Sequence, residues 1–260
     1  PIVRRAGWTA GIIMVASLLF ALPPLWTPGH ARENWRAAVA TIIDEHEALP
    51  DLRTTIISHI DYTHLPAEWY LRKQYTFDEL PLYFPFGGAL TPEMMDETIA
   101  PPLAGVEGAG FDTLWLLQSH LEGMDDGRLV EGWLAERYPL IAEQFPAGIR
   151  QTGYAIRTRF DDLPASLASS ERVDVEVAPH LRLAACELTT PHVSAKDAFL
   201  HPPSGRAHVR LWWQAYAPLE TEYAVQVRLV NAEGVWGEAI DRTADTMRMM
   251  PTTSWMPGEF

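Results

Sequence analysis

The sequence predicts an N-terminal transmembrane helix, then a mainly parallel α/β sheet domain with an antiparallel hairpin at one edge, then a β-sandwich whose last strand is unfinished. Three observations carry this. Residues 6–26, "AGWTAGIIMVASLLFALPPLW", hold no charged side chain. Residues 32–160 alternate helix-period and strand-period segments, the pattern of a parallel sheet covered by helices. From residue 172 onward the apolar period falls to two, the period of half-buried strands. The boundaries are 1–31 for the membrane helix and its flanks, 32–160 for the α/β domain, 161–171 for a linker and 172–260 for the sandwich.

A helix of about 20 apolar residues spans a bilayer core of about 30 Å. Trp8 and Trp26 stand near the ends of the apolar stretch, Pro23 and Pro24 close it, and Arg4 and Arg5 precede it. The positive-inside rule then places the N-terminus in the cytoplasm and the rest of the chain outside it. A cleaved signal peptide is the rival reading, but no small-x-small cleavage site follows the apolar run.

Residues 32–48 place Trp35, Val39, Ile42, Ile43 and His46 at helical spacing. "LPD" breaks that helix, and "LRTTIISHI" follows as a β-branched strand. Residues 66–73 form a short helix with Pro66 in its first turn, and "LPLYFPFGG" a short strand running into a Gly-Gly turn. Residues 91–100 begin a helix with Thr91 as cap and Pro92 at its first position. "DTLWLLQSH" is a continuous apolar run suited to a buried parallel strand. Residues 126–138 give another helix, and "LIAEQF", "PAG", "IRQTGYAIRTRF" a hairpin. Beyond the linker, "RVDVEVAPHLRLAACEL", "HVRLWWQAY" and "EYAVQVRLVNAEG" alternate; Val209, Leu211 and Trp213 share one face. Cys186, the one cysteine, reads as a small buried strand residue, and a single cysteine forms no internal disulfide.

The formal net charge of −14, with no basic run, argues against nucleic acid as a partner. No Gly-x-Gly-x-x-Gly follows a strand, so no cofactor is assigned. The candidate site comes from two strand tails. "SHIDYTH" places His59, Asp61, Tyr62 and His64 at or beyond the carboxyl end of one strand, and "SHLEGMDD" places His120, Glu122, Asp125 and Asp126 beyond another. Open α/β sheets bind ligands at that edge. If the strands are parallel, His59, Asp61, Tyr62, His120 and Glu122 surround one pocket. A divalent metal site, a ligand cleft and plain solvated loops all remain open for them, and the spacings match no compact metal motif. Trp212, out of phase with Val209 and Leu211, is the candidate exposed platform for a ligand. The aromatics of "EWYLRK" could offer faces for sugar stacking, or be core; Trp213, in phase with Val209 and Leu211, reads as core.

"RENWRAAVATIIDEHEALPD" followed by "TTIISHIDYTHLPAEWYL" resembles the segment after the last membrane helix of bacterial glycosyltransferase family 39. These are dolichyl-phosphate-mannose protein mannosyltransferase-like and aminoarabinose-transferase-like enzymes of the GT-C fold. The likeness rests on Trp35-Arg36, the strand Thr55 to Ser58, and Trp69-Tyr70-Leu71. "LYFPFGG", "LWLLQSHLEG" and the tail from "RLWWQAY" to "PTTSWMPGEF" are similar to the family's extracytoplasmic region. The resemblance implies a membrane setting and transfer of a sugar from a polyprenyl-phosphate donor to a glycan, lipid or protein acceptor outside the cytoplasm. Its catalytic acids would lie upstream of Pro1, so it assigns no catalytic residue here and gives this region an accessory role. The alternative reading is a single-pass, membrane-anchored module that binds a glycan or another cell-surface partner without turnover. A third is an independent hydrolase using the strand-edge cluster.

Overall fold

The computed structural model describes residues 14–20, 33–167, 171–188, 208–228, 230–235 and 249–260. Its centre is a five-stranded sheet of order β2-β1-β3-β5-β4. Strands β1 (Thr54–His59), β2 (Leu82–Tyr83) and β3 (Thr113–Gln118) run parallel, with Ile56 opposite both Leu82 and Trp115. The antiparallel pair β4 (Leu140–Gln144) and β5 (Arg150–Ala155) completes the sheet beyond β3.

Both faces of this sheet are covered, which is why β1 and β3 are buried along their whole length. On one face lies α1 (Trp35–Ala48), whose Trp35, Val39 and Ile42 meet Ile56, Trp115 and Leu117. Asn34 caps it by accepting from the Ala37 amide. Beside it, α2 (His64–Leu71) buries Ala67 and Leu71. On the other face, α3 (Ala100–Gly108) and α4 (Leu129–Arg137) pack Leu103, Val106, Val130, Trp133 and Leu134 over Ile57, Leu114 and Leu116. The helix expected from Thr91 begins as a 3-10 turn, Pro92–Met94, passes through a π turn, Met95–Ile99, and only then becomes α3.

Two expectations are corrected. Among the described residues no helix is long and apolar enough to cross a membrane. The described part of the apolar stretch, residues 14–20, is helical, but seven residues at about 1.5 Å each rise only about 10 Å. Residues 6–13 and 21–26, with Trp8 and Trp26, lie outside the described residues.

The second correction concerns the sandwich. The described residues contain a three-stranded antiparallel sheet, β6 (Arg172–Ala178), β7 (Leu181–Leu188) and β8 (Val209–Ala215), and a two-stranded ribbon, β9 (Val230–Asn231) with β10 (Gly234–Val235). Residues 222–228, expected as a strand, have no strand pairing. No second sheet lies over the first to make a sandwich among them. Instead the three-stranded sheet turns one face toward the α/β unit. Leu49 and Leu52 meet Ala185, Trp212 and Leu167 in a shared cluster. Cys186 is half-buried on β7 rather than enclosed.

Candidate functional site

Because β1, β2 and β3 are parallel, their carboxyl ends lie along one edge, and the loops that follow are tied together there. The Asp61 amide donates to the Phe86 carbonyl at 2.9 Å, and the Ser119 amide to the His59 carbonyl at 3.2 Å. Leu90 N–H reaches the Met124 carbonyl. The Ser119 hydroxyl donates to the Gly148 carbonyl at 3.0 Å, which adds the β4–β5 turn. The two polar tails therefore emerge side by side.

They form two tiers. The inner tier is closed. His59 is 0% exposed, and its Nδ1 stands 3.8 Å from Asp125 Oδ2. That separation is longer than a hydrogen bond, and neither ring nitrogen has a hydrogen-bond partner in the protein. Phe86 closes over the imidazole edge-on, its centroid 5.3 Å away. Burial pushes the His59 pKa down, with the Asp125 carboxylate pulling the other way. The imidazole is therefore neutral near pH 7.

In the ladder His59 stands opposite Gln118, and Gln118 opposite Arg150, a polar row on the face covered by α3 and α4. The buried Gln118 carboxamide also has no hydrogen-bond partner. Arg150 clamps the end of the row, donating to Glu131 at 2.6 Å and Glu143 at 2.9 Å. Burial works to lower the Arg150 pKa, and the two carboxylates more than reverse it.

The outer tier is accessible. Tyr62 is 53% exposed, and its ring lies 6.4 Å from that of His120. The exposed His120 Nε2 contacts a carboxylate oxygen of Glu33, the residue before the cap of α1. Asp61, half-buried, opens the 3-10 turn Asp61–Thr63 and accepts from the Tyr62 amide at 2.6 Å. Gly87 leaves room for this carboxylate: a Cβ there would sit 2.8 Å from Asp61 Oδ2, so the Asp61 side chain would have to shift. His64 stacks on Phe84 at 3.8 Å. On α2, Leu65 and Trp69 lie one turn apart and face outward.

Thus Asp61, Tyr62 and His120 gather at one accessible edge, and His59 lies sealed beneath it. Glu122 is on an exposed turn two residues beyond His120. Trp212 is a correction. It is 5% exposed, packs edge-to-face on Phe160 and donates its indole N–H to Glu187 at 2.9 Å. The sheet face it occupies is the one turned to the α/β unit, so it is no exposed platform. Trp213 is the less buried of the two.

The exposed indole near the edge is instead Trp69, 67% exposed, with the Lys73 ammonium 4.9 Å above its ring. Helical phase held that signal. With Ala67 and Leu71 facing the core, Trp69 must point away. Sequence reasoning also passed over Glu33, Phe84 and Phe86, none of which belongs to a strand-tail pattern of acids and histidines. No group of three or more His, Cys, Asp or Glu side chains suited to a metal ion occurs among the described residues.

No family model, curated protein or solved structure matches the chain.

Proposed function

We propose that the chain is an accessory, saccharide-binding region of a glycosyltransferase that uses polyprenyl-phosphate-linked sugars, and that it holds the acceptor at the carboxyl edge of the sheet. The observation that carries this reading is the outer tier itself. Exposed Tyr62 stands beside His120 and Glu33, with Trp69 displayed nearby on α2. A sugar ring offers an apolar C–H face and a rim of hydroxyls. An amphipathic aromatic side chain suits the first, and His120, Glu33 and Asp61 offer donors and acceptors to the second. The transferase setting rests on the family resemblance of Trp35-Arg36, "TTIISHIDYTHLPAEWYL" and "LWLLQSHLEG". The acceptor side would lie outside the cytoplasm.

The test is saturation-transfer NMR of the full chain with mannobiose, cellobiose and glucose. We expect saturable binding to at least one, weakened at least tenfold by Tyr62→Ala and by His120→Ala. Silence from all three sugars, or binding indifferent to both substitutions, defeats the binding assignment. The transferase setting is tested in cells. The same two alleles should lower sugar incorporation into the acceptor severalfold. Unchanged incorporation by variants that have lost saccharide binding leaves a stand-alone glycan-binding module, the second reading of the same surface.

A further inference from the structure

A separate cavity of about 220 Å³ opens at the amino edge of the parallel strands, on the far side of the sheet from Tyr62 and His120. Its lining takes residues from both sheets, including the β8 face opposite Trp212. Leu140 of β4, Leu211 and Trp213 of β8, and Val225, Met250 and Trp255 supply its apolar walls. All six are only half-buried, although each would gain from complete removal from water. An apolar cavity of about 150 Å³ already takes up a benzene-sized molecule. The Trp213 and Trp255 rings stand 6.4 Å apart and tilted by 47°, and methionine adapts to the outline of a guest.

The three arginines at the cavity are each engaged by a protein acceptor and so are not free to recruit an anionic guest. Arg157 faces Asp112 at 3.6 Å, and Arg210 is held by Glu45 at 2.6 Å and Glu187 at 3.2 Å. Arg159 donates to the Ser254 carbonyl at 3.0 Å. Glu259 also lines the cavity, and its Oε2 is buried without a hydrogen-bond partner. A buried acceptor left unpaired is costly, and a guest that donates to it relieves that cost.

We propose that this cavity is a binding site for an uncharged, flat apolar molecule carrying one hydroxyl, such as a phenol or a ring alcohol, with the ring against Trp213 and Trp255 and the hydroxyl donating to Glu259. Pockets of this kind are mostly apolar with few polar groups that fix orientation. The site is independent of the saccharide reading, since it shares no residue with the carboxyl edge.

The experiment is calorimetric titration of the full chain with 2-naphthol and with 2-methoxynaphthalene, which has the same ring and no donor. We expect one saturable site that takes 2-naphthol at least tenfold more tightly than the ether. Glu259→Leu should erase that preference. Leu211→Trp and Val225→Trp, filling the cavity from different walls, should each weaken 2-naphthol at least tenfold, with folding verified by circular dichroism. Should one of them fail to fold, the other and Glu259→Leu still decide. Absence of saturable binding, binding undiminished by every folded filling variant, or equal affinity for the two probes overturns the proposal.

Discussion

The His59 imidazole is the most exactingly placed side chain of the candidate site, and its environment sets a pH dependence. Burial lowers its pKa below the ordinary value of about 6.5, against the opposing pull of Asp125. The unfolded chain therefore binds a proton more readily than the folded one. Stability from this group is fully present above pH of about 6.5 and is lost as pH falls toward the folded pKa. The slope is at most about 1.4 kcal/mol per pH unit for one proton. His46 is shifted in the same direction, by burial opposed by Glu47 and Glu79, so it adds a slope of the same sign. Urea unfolding between pH 5 and 8 should show the wild type losing stability on the acid side. His59→Gln should flatten that limb without abolishing it. Identical pH profiles for the two proteins would mean that His59 titrates alike folded and unfolded. Residue identity alone could not reveal this burial. "SHIDYTH" reads as a polar tail, yet its first histidine is the last residue of a strand covered on both faces.

At the level of elements, Asp125 links that histidine to α4. Its Oδ1 accepts from the Leu129 amide at 2.8 Å and its Oδ2 from the Val130 amide at 3.3 Å. Two amides left over by the helix are thereby satisfied, and a negative charge sits at the positive end of the helix dipole. Asp125→Ala should cost about 1–2 kcal/mol in chemical denaturation, the scale of a lost cap. Asp125→Asn, which keeps an acceptor oxygen, should cost less. Equal losses would show that the carboxylate acts on something other than the helix amides. Helices between residues 33 and 160 were legible where a local signal bounds them: "LPD" after α1 and Pro66 in the first turn of α2. The 3-10 and π turns ahead of α3 were not legible, because Pro92 marks a helical start without stating which hydrogen-bond spacing follows. Of the candidate site, the shared edge followed from parallel pairing. Its division into a closed tier and an open one did not, because that depends on Phe86 and α4 packing over His59 from distant parts of the chain.

At the scale of the molecule, the two sheets are joined through Trp212, and this explains why sequence phase misled there. Alternation along "VRLWWQA" correctly separates Trp212 from Trp213, but period-two patterning does not say which face meets another unit. Trp212 lies with Leu49, Leu52, Leu167 and Ala185, and beside it Arg210 spans from Glu187 on β7 to Glu45 on α1. A buried aromatic bridging two units holds each in place, so its truncation should be felt in both. Trp212→Ala is expected to cost about 3–5 kcal/mol, the range for deleting a buried aromatic. The loss should come as one cooperative shift rather than as early melting of β6, β7 and β8 alone. Hydrogen exchange resolves the two cases. If the sheets are coupled, amides in the last turn of α1, from Glu45 to Ala48, exchange faster in the variant together with those of β8. Faster exchange confined to β8, with α1 unchanged, would mean that the α/β unit stands without its neighbour and that the shared cluster only covers surface.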